Sequence, residues 1–187
     1  MIKETWEERV SMNTAHLKMD ENKKAYLESS IKDLVVKDKR IVDYGCACGY
    51  LGQLVLDRGC QWYYGIDVSQ RAIQFARDYL KGYQNKTLIV SEVLKEGDVF
   101  ICLNVVQHFP TEQYFKDWIM RVNDMGYEKI LLNYREGPVS FREKLYETME
   151  DVLFANTMNS EYVITYMTNY KVYDIIQTGK FTILGFK

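Results

Sequence analysis

The chain has 187 residues, 47% of them hydrophobic and 27% charged, with a net charge of −2. That length suits one domain with a sizeable core, and the slightly acidic balance gives no general attraction to nucleic acid or to an anionic membrane surface. No apolar run approaches a membrane span, and the charged stretch Met1 to Arg9 lacks the apolar segment of a secretory signal. The four cysteines, at 46, 48, 60 and 102, contain no C-x-x-C pair, so the reading is no metal site and reduced thiols in the cytoplasm.

Residues 1–36 read as an N-terminal helical extension, Glu4 to about Val36 with a break near Ser11–Thr14, ahead of a core over 37–187. Arg40–Asp43 is a short apolar strand. A glycine-rich turn follows, then a helix from about Tyr50 to Arg58, stopped by Gly59. A second strand, Gln61–Ile66, runs to Asp67. Ser69 is placed to cap the next helix, where apolar residues at 72, 73, 75, 76, 79 and 80 mark a helical stripe within Gln70–Gly82. Thr87–Val90 and Val99–Asn104 are the third and fourth strands. Thr111 caps a helix to about Met125, ended by Gly126, and Lys129–Asn133 is the fifth strand. Beyond Gly137-Pro138 the pattern predicts a helix over Phe141–Phe154. Two closing strands are expected, Tyr162–Met167 and Lys180–Phe186, joined by Tyr170–Gly179. Strands alternating with helices imply a mostly parallel sheet covered on both faces, and the closing pair, lacking a crossover helix, is expected to be antiparallel.

Asp43-Tyr44-Gly45-Cys46-Ala47-Cys48-Gly49 is the most informative stretch. A strand, a glycine turn, a helix and a second strand ending in an acid make a nucleotide-binding half-site. Read as G-x-G-x-x-G from Gly45, the motif puts Ala47 and Tyr50 where glycines belong. Read as acid-x-G-x-G-x-G it fits at Asp43, Gly45 and Gly49, with Ala47 in the middle. An acid just ahead of the turn repels a pyrophosphate and suits a ligand with a cationic amino group.

This stretch resembles the first motif of the class I S-adenosylmethionine-dependent methyltransferases, with Ala47 replacing the middle glycine. Gly65-Ile66-Asp67-Val68-Ser69 resembles the second motif, and Asp98 to Phe109 resembles the fourth strand with its loop. The resemblance implies a Rossmann-like three-layer α/β sandwich with a seven-stranded sheet whose last strand is antiparallel. It implies S-adenosylmethionine as cofactor, held by Asp43, Gly45, Cys46, Ala47, Gly49, Asp67, Val68, Glu92, Val93, Leu103 and Asn104. Asp67 would bind ribose and Val68 would pack on adenine; Ser91 is the alternative to Glu92. His108, in the loop after the fourth strand, is the candidate catalytic base, against a packing role beside Phe109. Trp6, Arg9 and Tyr26 resemble lid-helix residues, and His16 falls in the same region. Asp98, at the start of its strand, reads as structural.

In this family the third strand lies at the sheet edge and the fourth beside the first, about 14 Å away at ~4.8 Å per strand spacing. Ser91 to Gly97, extended, reach roughly 23 Å at ~3.3 Å per residue. That allows the crossing without a helix, so the usual crossover helix is expected to be missing or reduced, leaving the adenine side thinly covered. The acceptor implied is a small molecule methylated on O or N. Six tyrosines of the C-terminal third, at 134, 146, 162, 166, 170 and 173, lie where the family places acceptor contacts, and also suit ordinary packing. Asn104-Val105-Val106-Gln107 stands in place of the Asn/Asp-Pro-Pro-aromatic signature of nucleic-acid amino-methyltransferases, which makes nucleic acid a disfavoured partner. A protein or RNA acceptor, or a non-catalytic cofactor-binding subunit, are the alternatives.

Overall fold

The computed structural model describes residues 20–141, 156–178 and 181–187. The sheet has seven strands in the order β3-β2-β1-β4-β5-β7-β6. The strands are β1 (Arg40–Tyr44), β2 (Trp62–Asp67), β3 (Lys86–Val90), β4 (Val99–Cys102), β5 (Lys129–Arg135), β6 (Val172–Thr178) and β7 (Phe181–Phe186). β1–β2 and β2–β3 are parallel, and β7 runs antiparallel to both β5 and β6. The expected sheet with a reversed last strand is therefore present. Backbone contacts divide the chain into two compact units, one ending at Phe100 and one beginning at Ile101.

The first unit opens with α1 (Glu21–Ser30), whose N-cap Asp20 accepts a hydrogen bond from the Lys23 N–H at 2.8 Å. The helix ends sooner than the expected Val36. The Ser30 hydroxyl bonds back to the Tyr26 carbonyl, and Ile31, Leu34 and Val36 turn inward as buried residues after it. α2 (Tyr50–Asp57) starts from Gly49, whose φ of 82° serves as a left-handed cap. α3 (Gln70–Tyr79) is capped by Ser69, which accepts from the Ala72 N–H as its sequence suggested. Ile41, Val42, Ile66, Ile73, Ala76 and Leu80 form the core of this unit, all buried. Burying such aliphatic side chains stabilises by about 1.5–3 kcal/mol each.

No helix lies between β3 and β4, as the chain-length argument required. The crossover is instead tied down at single points. Ser91 donates its N–H to the Asp67 carbonyl at 2.9 Å, Val93 donates its N–H to the Ser91 hydroxyl, and the Tyr44 hydroxyl donates to the Glu92 carbonyl at 3.3 Å. At its far end Asp98 accepts from the Arg40 backbone N–H and twice from its guanidinium, the shortest contact being 2.7 Å. The Arg40 guanidinium holds the Asp98 carboxyl below its ordinary range. Asp98 is thus a structural clamp. Gly97 lies so close to β1 that an added Cβ would sit 2.6 Å from Val42 Cγ2.

In the second unit, α4 (Glu112–Asp124) is capped by Thr111, which accepts from the Tyr114 N–H, and buries Phe115, Trp118, Ile119 and Val122. Two readings of the C-terminal sequence are corrected. Tyr162–Met167 is not a strand. It lies largely in α5 (Ser160–Thr165), where Asn159 accepts from the Tyr162 N–H at 2.8 Å. The β-branched and aromatic residues that suggested a strand pack on α4 instead, with Tyr162 stacked on Phe115 at 5.8 Å between ring centroids. The true partner of the last strand is Val172–Thr178, inside the segment read as a connection. The helix expected over Phe141–Phe154 falls almost wholly outside the described residues.

Candidate functional site

The turn after β1 is pinned to the end of β2. The Gly45 and Cys46 N–H groups both donate to the Ile66 carbonyl, at 2.8 and 3.0 Å, and the Cys46 carbonyl accepts from the Gly49 N–H. Between them Ala47 adopts φ 46°, a left-handed conformation that costs an L-residue roughly 1–2 kcal/mol. Its N–H donates to Asp67 Oδ2 at 3.0 Å, while Asp67 Oδ1 accepts from the Ser69 N–H at 2.9 Å. The acid ending β2 therefore anchors the turn after β1. Val68 follows, half-buried.

Asp43, the last motif residue before the turn proper, is buried. The Tyr63 hydroxyl donates to its Oδ2 at 2.7 Å. Burial pushes the Asp43 carboxyl up to about 7, the Tyr63 hydrogen bond pulls it down and the charge of Asp67 adds to the rise. Burial likewise drives the Cys46 thiol well up, reinforced by Asp43 and Asp67, and takes Cys48 to about 11 against a small opposing pull from Lys23. Both thiols are protonated at neutral pH, which suits packing in a tight turn and not nucleophilic chemistry. Glu92 and Val93 lie on the crossover just past β3. The Glu92 side chain is exposed, and Val93 is 60% exposed.

The remaining candidates belong to the second unit. Leu103 is buried, and Asn104 after it has φ 60°. That turn is locked by Asn133, fully buried on β5. Its Oδ1 accepts from the Asn104 backbone N–H, and its Nδ2 donates to Asn104 Oδ1 at 3.0 Å. His108 ends a single 3₁₀ turn, Val106–His108, half-buried, with its backbone N–H on the Val105 carbonyl. Asn156 braces this turn from outside: its N–H donates to the Gln107 carbonyl and its Nδ2 to the Phe109 carbonyl at 2.6 Å.

Of the expected residues of the first unit, Asp43, Gly45, Cys46, Ala47 and Gly49 lie at one turn, Asp67 and Val68 at the end of β2, and Glu92 and Val93 on the crossover. Sequence reasoning missed Tyr63, Asn133 and Asn156. A sequence signal existed for one of them, Asn133; the place of Tyr63 follows only from the strand pairing. Asn133 is a lone amide in the apolar strand Lys129–Arg135. Tyr63 pairs with Ile41 in register, which sets it diagonally across from Asp43 on the same sheet face. Trp6, Arg9 and His16 lie outside the described residues. Among the described residues no group of three or more His, Cys, Asp or Glu could hold a metal, and no helix is long and apolar enough to cross a membrane.

No family model and none of the curated proteins matches the chain. Solved structures do. N-methyltransferase NodS from Bradyrhizobium japonicum WM9, in complex with S-adenosyl-L-homocysteine, superposes at TM-score 0.73 with 14% identity, covering 100% of this chain and 98% of that one. Magnesium protoporphyrin IX methyltransferase (ChlM) from Synechocystis PCC 6803, also with bound S-adenosylhomocysteine, gives TM-score 0.68 at 17% identity over 90% of this chain and 88% of the other. The ribosomal protein L11 methylase from Lactobacillus delbrueckii subsp. bulgaricus gives 0.62 at 13% identity over 91% and 80%. This is the fold of the class I S-adenosylmethionine-dependent methyltransferases. Within a class I methyltransferase fold, Asp43–Gly49 occupies the turn after the first strand and Asp67 the end of the second. Ala47, in the middle of that turn, takes a positive φ without being glycine.

Proposed function

We propose that the chain is an S-adenosylmethionine-dependent methyltransferase acting on a small-molecule O or N acceptor. The observation that carries this reading is the Asp67 carboxylate, bonded to the Ala47 and Ser69 N–H groups at the mouth of the glycine turn. In that position it can accept further hydrogen bonds from the two hydroxyls of a ribose. The chemistry of the donor set fits the cofactor: carboxylates at 43 and 67 oppose a pyrophosphate but suit a nucleoside bearing a cationic amino group. Gly45, Cys46, Ala47 and Gly49 would offer backbone, Val68 and Val93 an apolar rim for the adenine, and Glu92, Leu103 and Asn104 the rest of the cofactor contacts. Residues 1–36 would act as the lid.

When bound, the cofactor supplies an electrophilic methyl group whose transfer neutralises a sulfonium. The protein's work is then mostly orientation, which can supply about 7–11 kcal/mol of the barrier. His108 would accept the proton released by a hydroxyl or protonated amine acceptor. Asn156, by bracing the Gln107–Phe109 turn, would hold it in place.

A protein acceptor is the second reading. The exposed Val93 on a crossover without a helix favours it, because an uncovered flank admits a large partner. Titration calorimetry with S-adenosylmethionine and S-adenosylhomocysteine tests the cofactor assignment. Micromolar binding that falls at least a hundredfold in Asp67→Ala is expected; binding that survives the substitution unchanged would overturn the role given to Asp67. Radiolabelled methyl transfer into small-molecule and protein fractions then separates the two acceptor readings.

A further inference from the structure

The Tyr63 ring occupies a slot made by two absent side chains. It is completely buried. A Cβ on Gly52 would lie 2.6 Å from Tyr63 Cζ and 2.9 Å from its hydroxyl, and a Cβ on Gly65 would lie 3.0 Å from Cε1. Glycines on α2 and on β2 thus make room for one phenol. Through that room the hydroxyl reaches Asp43 Oδ2 at 2.7 Å, a well-formed O–H···O hydrogen bond. A buried aromatic needing only apolar packing would be served by phenylalanine.

We propose that Tyr63 is a positioning residue of the cofactor site, its phenol fixing the Asp43 carboxylate and setting the pH range over which that carboxylate can receive the cofactor's cationic amino group. This rests on the reading of Asp43 as part of the cofactor site. The charge that Asp43 must carry to meet a cation is opposed by burial and by Asp67, and is supported by the Tyr63 hydrogen bond. Among the described residues, the titratable groups facing Asp43 are Tyr63 on β2, Asp67 at its end and Cys46 in the turn. Burial and the neighbouring Asp43 charge push the Tyr63 hydroxyl well above its ordinary range, so it stays a donor throughout the neutral region. Removing it takes away the one interaction in this group that favours the carboxylate, and the pH at which the site becomes receptive rises.

The test is the dissociation constant of S-adenosylmethionine by calorimetry between pH 5.5 and 9, for the wild type, Tyr63→Phe and Asp43→Asn. The expected wild-type affinity strengthens as pH climbs through the Asp43 titration; the cofactor's own amino group, which loses its charge toward the alkaline end, is common to all three proteins, so the profiles are compared as ratios to Asp43→Asn. In Tyr63→Phe the rise should move alkaline by about one unit, giving about fivefold weaker binding near pH 7, nearly tenfold at the acid end of the range, and convergence by pH 9. Asp43→Asn should flatten the profile. Site-specific 3-fluorotyrosine at position 63 keeps the ring and the packing while making the phenol a stronger donor, so it should move the rise the other way. That variant serves if Tyr63→Phe does not fold. A Tyr63→Phe loss equal at every pH would mark a purely structural role, and superimposable profiles would mark none; either result overturns the inference while leaving the cofactor assignment intact. Absence of wild-type binding at any pH, or an Asp43→Asn profile identical to the wild type, would overturn the reading of Asp43 itself.

Discussion

At the level of single residues, the turn after β1 holds two side chains at odds with their surroundings. Ala47 pays for its left-handed backbone with strain that glycine would not feel. Ala47→Gly is therefore expected to stabilise the fold by about 1 kcal/mol, read as a rise in the denaturant midpoint. Asp43 is the second. Its folded carboxyl is raised to about 7 from an ordinary value of 3.8, so the folded chain holds a proton that the unfolded chain releases. Between about pH 4 and 7 the unfolded state gains from ionisation and the fold does not, so stability falls as pH rises through that window, by up to roughly 4 kcal/mol, and levels above it. Denaturant midpoints at pH 5 and 8 should show this slope in the ligand-free protein, and Asp43→Asn should remove it. The turn itself was legible in the sequence because its glycines and acids are close together. Tyr63 was not, because its link to Asp43 exists only once β1 and β2 lie in register, 20 residues apart in the chain.

Elements tell a similar story about local and non-local information. Helix caps at Ser69 and Thr111 were readable because each involves a side chain and a backbone N–H three residues on. The crossover without a helix was readable from chain length once the family resemblance supplied the strand order. Tyr162–Met167 was misread because its β-branched and aromatic content is answered by tertiary contacts with α4, while the decisive local signal, Asn159 as a cap, was overlooked. The crossover also makes a prediction. Gly97→Ala would drive a methyl group into Val42 or the Arg40 carbonyl, 2.6 and 3.1 Å away. A loss of about 1–3 kcal/mol is expected, typical of overpacking. The same substitution at Gly82, where an added Cβ meets nothing within 4 Å, should leave the unfolding midpoint almost unchanged.

For the molecule as a whole, the order of strands and the reversed β7 place the chain in a fold shared by proteins whose identity to it is 17% or less. Fold survives at that distance because it needs only apolar strands, capped helices and a few glycines. Acceptor choice does not, because it depends on individual side chains. That is why the sheet could be foreseen from the sequence and the acceptor could not.

The four cysteines have a practical consequence of their own. All are buried and unbridged, and Cys46, Cys48 and Cys60 have thiols pushed above their ordinary range. At neutral pH those three carry almost no thiolate, and with all four buried, labelling must wait for the structure to open. Alkylation rates followed site by site by mass spectrometry would thus time the local opening of the turn at 46 and 48 against that of β4 at 102. A ligand seated on the turn should slow the first pair selectively, reporting occupancy without a catalytic assay.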